Sequence, residues 1–236
     1  MSRSRFIDGG AWQSGAELAL SLEESHHLIH VMRLPAGAPI EVVDGAGRRA
    51  EAIVVSTSGG VARVRIGAIE QGPPASRVEI AFGIPKPAAL EFILRRATEV
   101  GVAAFRPLVT RHSLRLAEWN ERRWGKIVLE VCKQCQELWF PRLLPPQPLS
   151  AWLADRNAAR ALVLFDETDR AAHAAISAQA AGWDLAVGPE GGWSPEELAQ
   201  LRSSGALSYG LGRNRLRAEM AAVAGAVLIK REIGEI

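Results

Sequence analysis

Apolar and polar positions keep two different rhythms along this chain. In the first seventy or so residues the rhythm is short and partly alternating: Pro39–Asp44 (PIEVVD), Arg48–Val55 (RRAEAIVV) and Val61–Ile69 (VARVRIGAI). Gly45-Ala46-Gly47 and Ser58-Gly59-Gly60 separate these β-branched runs. Period-two runs broken by glycine turns predict a small antiparallel sheet or barrel. Ahead of them, Ser25–Met32 (SHHLIHVM) reads as one short helix ending near Leu34-Pro35. Gln71–Ser76 (QGPPAS) admits neither strand nor helix easily, and a domain boundary is placed there, giving regions 1–72 and 77–236.

Beyond that boundary strands alternate with helices. Val78–Gly83 is a strand, and Ala88–Val100 a helix with Leu90, Ile93, Leu94, Ala97 and Val100 on one face. Gly101 ends it, and Val102–Val109 returns as a strand. Glu118–Leu138 is a longer helix, stopped by Pro141, Pro145, Pro146 and Pro148, which make a rigid connection. Ala161–Phe165 and Leu185–Val187 are buried strands flanking a helix around Ala171–Ala181. Ser194–Ser203 is a helix: Ser194 caps it, Pro195 takes its first position and Glu197 completes a capping box. Ala206–Leu211 is a strand and Ala218–Glu232 the last helix. This alternation predicts an α/β domain, a parallel sheet covered on both faces.

Composition narrows the class. With 236 residues, 48% hydrophobic and 23% charged, the chain has the make-up of a folded globular protein, not of a disordered or collagen-like one. Apolar runs such as Ala161–Phe165 and Ala221–Ile229 are too short to span a bilayer. The N-terminus has no apolar core of a secretory signal, and two cysteines make no disulfide framework, so a reducing cytoplasm is expected. The net charge is only +2, but it is uneven: residues 86–126 carry 9 Lys/Arg against 4 Asp/Glu, and Arg213, Arg215 and Arg217 form a second cluster. Such patches suit phosphates. However, 24 of the 28 basic residues are arginine, which also fits a general compositional bias.

Ligands of open α/β sheets bind outside the carboxyl ends of strands. Two glycine-rich segments fall there, Gly188–Trp193 (GPEGGW) and Gly210–Arg217 (GLGRNRLR). Their glycines permit close backbone approach to a flat ring, but neither is a dinucleotide fingerprint or a phosphate-cradling GKS/GKT. Glu190, between glycines, suits a hydroxyl ligand, a base or a charge satisfied by following amides. Arg217 and Glu219 straddle the start of the last helix, either as an ion pair or as two groups facing the cleft. Cys132-Lys133-Gln134-Cys135 lies inside a helix with no second ligand pair, so it reads as packing and not as a zinc or redox site. His26, His27 and His30 lack further ligands and read as surface or RNA-facing; no metal is expected. Trp193, beside the glycine loop, reads as packing before stacking.

In order and over nearly the whole chain, these motifs resemble the RsmE family, the 16S rRNA (uracil-N3)-methyltransferases of the SPOUT superfamily. His26, Val31–Gly37 (VMRLPAG) and Val43–Gly45 look like its PUA-like RNA-binding domain. Lys86, Leu90-Glu91, Ala97–Gly101 (ATEVG) and Arg106–Ser113 (RPLVTRHS) look like its first SPOUT segment. Val187–Gly192 (VGPEGG) with Ser194 and Glu197 is the most specific match, and Leu211-Gly212, Leu216-Arg217, Glu219 and Ala221 resemble the closing motif.

The resemblance implies a knotted SPOUT domain, a parallel sheet with a deep trefoil knot, behind a small N-terminal β-barrel PUA-like domain. It implies a homodimer that binds S-adenosyl-L-methionine and methylates N3 of a uridine in 16S rRNA of the small ribosomal subunit. The cofactor residues so implied are Val187, Gly188, Pro189, Glu190, Gly191, Gly192, Leu211, Gly212, Leu216 and Glu219. Arg217, Glu219 and Glu190 are the catalytic candidates; Arg217 would stabilise charge on a uracil carbonyl, and Glu190, Glu219 or a water would take the N3 proton. His26, Arg33, Lys86, Arg111 and His112 are the RNA-binding candidates. Two stretches depart from the pattern: Lys133–Glu137 (KQCQE) has Lys133 for an acid and Gln136-Glu137 for Gly-Arg, and Leu216–Ala221 (LRAEMA) lacks two hydroxyls at Ala218 and Met220. Rival readings are a SPOUT enzyme with another rRNA or tRNA target, and a ribosome-associated RNA-binding protein without catalysis. A flavodoxin-like or nucleotide-binding enzyme lacks the phosphate loop it would need.

Overall fold

The computed structural model describes residues 3–114, 119–167, 176 and 179–236. By packing, the chain forms two compact units: Met1–Ala75 with Lys133–Phe140, and Ser76–Cys132 with Pro141–Ile236. The linear division at 71–76 therefore omits one return: Lys133–Phe140 belongs with the first unit.

The first unit is a curled five-stranded sheet in the order β1-β3-β4-β5-β2. The alternating runs become β3 (Pro39–Val43), β4 (Arg48–Ser56) and β5 (Arg63–Gln71), paired antiparallel. Ala50, Ala52 and Val54 of β4 point inward while their neighbours stay exposed or partly so, as a pleat requires. Two edge strands, β1 (Ser4–Ile7) and β2 (Glu17–Ala19), were not expected; four and three residues are too few to show a period. The core is Phe6, Leu28, Ile40, Val42, Val64 and Ile66 with their neighbours. The expected single helix at Ser25–Met32 is instead α1 (Leu22–His26), capped by the Ser21 hydroxyl, running into a π-helical turn at His27–Val31. Met32 N–H donates to the His27 carbonyl at 2.9 Å, five residues back, and Arg33 follows with φ of 52°.

The return segment has local causes. Lys133 pairs through Nζ with the buried carboxylate of Glu24. Glu137 accepts from Leu138 N–H (2.8 Å) and Trp139 N–H (2.9 Å), and its carbonyl accepts from Arg5 (3.0 Å). Phe140 and Trp139 lie so close on Gly45 and Gly47 that an added Cβ would come within 2.5 and 2.3 Å of their rings. The glycine pair read as a turn is thus also a flat seat for two aromatic rings. Gln136 sits at φ 64°, in the left-handed region that ends a helix, where the family pattern has glycine.

The second unit is a parallel sheet counted as seven-stranded, in the order β12-β10-β11-β6-β7-β8 with β9 also on β7. Its centre is β6 (Val78–Gly83), β7 (Ala104–Val109), β10 (Ala161–Phe165) and β11 (Trp183–Val187). Every residue of β6 and β11 is buried, including one carboxylate in each, Glu79 and Asp184. α2 (Pro87–Val100) and α6 (Ala218–Glu232) pack on each other, and α6 packs on β6 and β11. α4 (Leu149–Asp155) and α5 (Pro195–Ser203) join a core with Leu108, Trp152, Leu162, Leu164, Ala186 and Leu201. The capping box at Ser194 and Glu197 forms as read.

The extents of several elements differ from the sequence reading: β7 begins at Ala104 and not Val102, and β11 at Trp183 and not Leu185. The longer helix is α3 (Glu121–Cys135). The proline connection holds two-residue strands, β8 (Arg142–Leu143) and β9 (Gln147–Pro148), and leads into α4, which was not expected. The strand at 206–211 shrinks to β12 (Leu207–Ser208). Arg115, Glu118 and most of the helix expected around Ala171–Ala181 lie outside the described residues.

Several arginines are spent inside the second unit. Glu79 and Asp184, partners in register on β6 and β11, are both buried. Arg106 (2.6 Å) and Arg142 (3.0 Å) bind Glu79, and Arg160 (2.7 Å) and Arg156 (3.4 Å) bind Asp184. Buried carboxylates need such partners, because leaving one unpaired costs roughly 3–5 kcal/mol. Glu235 folds the C-terminus back, accepting from Ser76 Oγ (2.6 Å) and Arg77 N–H (3.0 Å), with Lys230 Nζ at 3.4 Å. No described helix is long and apolar enough to cross a membrane, and no described group of three or more His, Cys, Asp or Glu could hold a metal. Cys132 is a buried packing residue of α3.

Gln136→Gly relieves a left-handed side-chain residue and is expected to raise stability by about 1 kcal/mol; the urea midpoint measures it, and no increase refutes the strain. Burial works against the Glu235 carboxylate, but Ser76, the Arg77 amide and Lys230 outweigh it and hold the group below its ordinary 4.5. Its contribution is therefore present above pH 4.5 and lost as pH falls through the lower folded value. Denaturant titrations should show Glu235→Gln less stable than the wild type near neutrality, with the gap closing in acid.

Candidate active site

At the carboxyl ends of β10, β11 and β6 the two glycine-rich segments close around one cavity of about 560 Å³. That volume is within the range of roughly 300–1,000 Å³ usual for small-molecule sites. Val187, Gly188, Pro189, Glu190 and Gly192 line it from the first segment, and Leu211, Gly212, Leu216, Arg217 and Glu219 from the second. Of the implied cofactor residues, Gly191 alone is off the lining; it backs onto His112, and an added Cβ would come 2.8 Å from the His112 Cβ.

Local rules build these loops. Gly192 turns with φ 69° and closes a tight turn, its N–H donating to the Pro189 carbonyl at 2.8 Å. Gly212 has φ 101°. Pro189 presses on Gly83 at the end of β6, where a Cβ would lie 2.4 Å from its Cδ. Phe165, a cavity wall, rests on Gly225 of α6, where a Cβ would lie 2.6 Å from the ring, and meets Tyr209 edge-on at 6.2 Å. Burial pushes the Tyr209 hydroxyl up from 10.0, so it stays protonated and is no base at neutral pH.

The candidate catalytic groups separate. Glu190 Oε1 accepts the N–H of Lys86, the residue capping α2, at 3.0 Å, so this carboxylate braces the loop. Arg217 is the N-cap of α6 and Glu219 lies in its first turn. Both line the cavity, and among the described residues no ion pair joins them. The amino ends of α2 and α6 both border the space, which favours an anionic group there.

Sequence reasoning missed Phe165, Asp166, Glu167, Tyr209, Asn214, Arg215 and the start of α2 at Ala88 and Ala89. The signal was available for Phe165–Glu167, which leave a buried strand at the same edge as the two glycine loops. Arg215 reaches Glu167 at 2.6 Å. Trp193 packs in the core beneath α4 and α5 while also lining the cavity.

Of the RNA-binding candidates, Lys86 lines the cavity. Arg111 and His112 occupy an exposed turn beside the first glycine loop. In the first unit, His26 at the end of α1 meets His30 of the π-helical turn with ring centroids 4.8 Å apart and planes tilted by 40°, and Arg33 is exposed just after the turn.

Val187, Leu211, Leu216 and Phe165 give the cavity apolar walls suited to a flat base, and Glu219 gives it a carboxylate suited to a cationic group, while Asp166 and Glu167 pair with Arg202 (3.5 Å) and Arg215 (2.6 Å). S-adenosylmethionine has both parts, so the residues present suit it.

Comparisons with known proteins agree in order and extent. Residues 72–230 match the family model of an RNA methyltransferase domain and residues 21–67 that of an RNA methyltransferase PUA domain. The ribosomal RNA small subunit methyltransferase E of Synechocystis sp. is 31% identical over 209 residues, 86% of this chain and 69% of that one. Its Mycobacterium bovis namesake is 31% identical over 222 residues, 89% of this chain and 84% of that one. Among solved structures, the Neisseria gonorrhoeae enzyme of the same name, bound to S-adenosyl methionine, superposes with a TM-score of 0.90 at 22% identity, covering 97% of both chains. A Legionella pneumophila putative methyltransferase in complex with the same cofactor gives 0.86 at 24% identity, over 98% of both. The chain belongs to the ribosomal RNA small subunit methyltransferase E family.

Proposed function

We propose that this protein is an S-adenosylmethionine-dependent methyltransferase that modifies N3 of a uridine in 16S rRNA, acting on the small ribosomal subunit in the cytoplasm. One observation carries the reading: the loops at 188–192 and 210–217 close a single cavity whose lining includes both Arg217 and Glu219. The relatives named for small-subunit rRNA and the solved neighbours that hold the cofactor support it.

S-adenosylmethionine supplies a methyl group activated by a sulfonium. The chain's own residues do the rest. The glycine loops present backbone to the adenosyl part without side chains in the way. Uracil N3 must lose its proton to become a nucleophile, and negative charge then spreads onto the flanking carbonyl oxygens. Arg217 donates to one of those oxygens, the role of an oxyanion donor. Glu219, which has no arginine partner among the described residues, or a water it orients accepts the N3 proton. Glu190, already bonded to the Lys86 amide, holds the loop. The exposed π-helical face of His26, His30 and Arg33 and the basic Lys86, Arg111 and His112 bind the RNA, by folded shape more than by linear sequence.

The outer face of α6 carries Met220 and Val227, 42% and 37% exposed, seven residues apart and so on one stripe. A second copy of the chain covers this stripe in the homodimer.

Small subunits lacking the mark, incubated with the protein and labelled methyl donor, should gain one methyl on a uridine, located by mass mapping of the 16S rRNA. Arg217→Ala should lower turnover by roughly 10²–10³-fold with cofactor binding kept. Full turnover in that variant would remove Arg217 from the mechanism, and a methyl on a ribose or another base would replace the assigned target.

A further inference from the structure

Beyond the RNA contact proposed for Arg111 and His112, the turn that carries them holds the first glycine loop from behind. Thr110–Ser113 is tightly self-bonded: Ser113 Oγ accepts from Thr110 N–H (3.0 Å) and donates to the Thr110 carbonyl (2.9 Å). Two bonds leave this turn for the loop. The N–H of Arg111 donates to Glu197 Oε1 (2.8 Å), while Glu197 Oε2 accepts from Ser194 N–H (2.8 Å). The capping-box glutamate therefore ties the far end of the loop to the turn. His112 Nδ1 meets the Gly192 carbonyl at 3.2 Å, at the loop's own left-handed residue.

That second contact fixes a proton. A carbonyl only accepts, so Nδ1 carries the hydrogen in the neutral ring as well as in the charged one. The bond orients the peptide between Gly192 and Trp193, both of which line the cavity. Gly191 supplies the necessary closeness, since a Cβ there would come 2.8 Å from the His112 Cβ and 3.0 Å from its Cγ. Glycine in this loop thus serves the bracing ring on one side and the ligand space on the other.

We propose that His112 is a positioning residue for the S-adenosylmethionine loop, acting through Nδ1–H on the Gly192 carbonyl. This rests on reading the cavity as the cofactor site. His112 does not touch the cofactor; it keeps the turn at Pro189–Gly192 in the one arrangement that leaves the cavity open.

The test is calorimetric titration of the full chain with S-adenosylhomocysteine, alongside the thermal midpoint of each ligand-free variant. His112→Ala should bind about tenfold more weakly, the loss of one orienting hydrogen bond. His112→Asn, whose amide can donate to the same carbonyl, should recover most of that loss. Ligand-free midpoints should coincide, which separates lost binding from lost folding. Wild-type affinity in His112→Ala, or no recovery in His112→Asn, overturns the positioning role and leaves the cavity reading standing. Failure of the wild type to bind defeats the cavity reading and the proposal with it. Imidazole nitrogen shifts give a separate readout: a neutral His112 ring with its proton on Nε2 overturns the bond itself.

Discussion

Parallel pairing of fully buried strands is the constraint from which the site follows. β10, β11 and β6 run side by side in one direction, so the segments that leave them all emerge at one edge. Helices that start there bring unpaired amide ends to the same place. Nothing further is needed to bring Phe165–Glu167, Val187–Gly192 and the start of α2 together. The specific contribution of this sequence is small size where chains must touch: Gly83 under Pro189 and Gly225 under Phe165 let loop and helix approach without a gap.

Much of this was legible from residues alone, because burial on both faces and capping chemistry are local and periodic. β6 and β10 were read with the right ends, α6 likewise, and Ser194 and Glu197 announced α5. What stayed hidden depended on partners distant in sequence. β1 and β2 are strands only because β3 and β5 offer them edges. The π-helical turn at His27–Val31 leaves no trace in hydrophobic period. Arg106 counted as part of a basic patch until Glu79 was found beside it. Glu190, read as a hydroxyl ligand, a base or a charge held by the amides that follow it, accepts instead from the Lys86 amide, about a hundred residues away in sequence.

The departures at Lys133–Glu137 take on a different meaning once their surroundings are known. Each of the three altered residues has an intramolecular role in the first unit: an ion pair with Glu24, a left-handed helix end, and a carboxylate that gathers the next two amides. They adjust how this segment is anchored.

The pairing of Lys133 with Glu24 also makes distant stretches of the gene interdependent. A chimera joined near residue 75, with its N-terminal part from a relative that has no acid at position 24, would leave the half-buried Lys133 ammonium without its carboxylate. Recombination within this family thus favours crossovers that keep the two positions together.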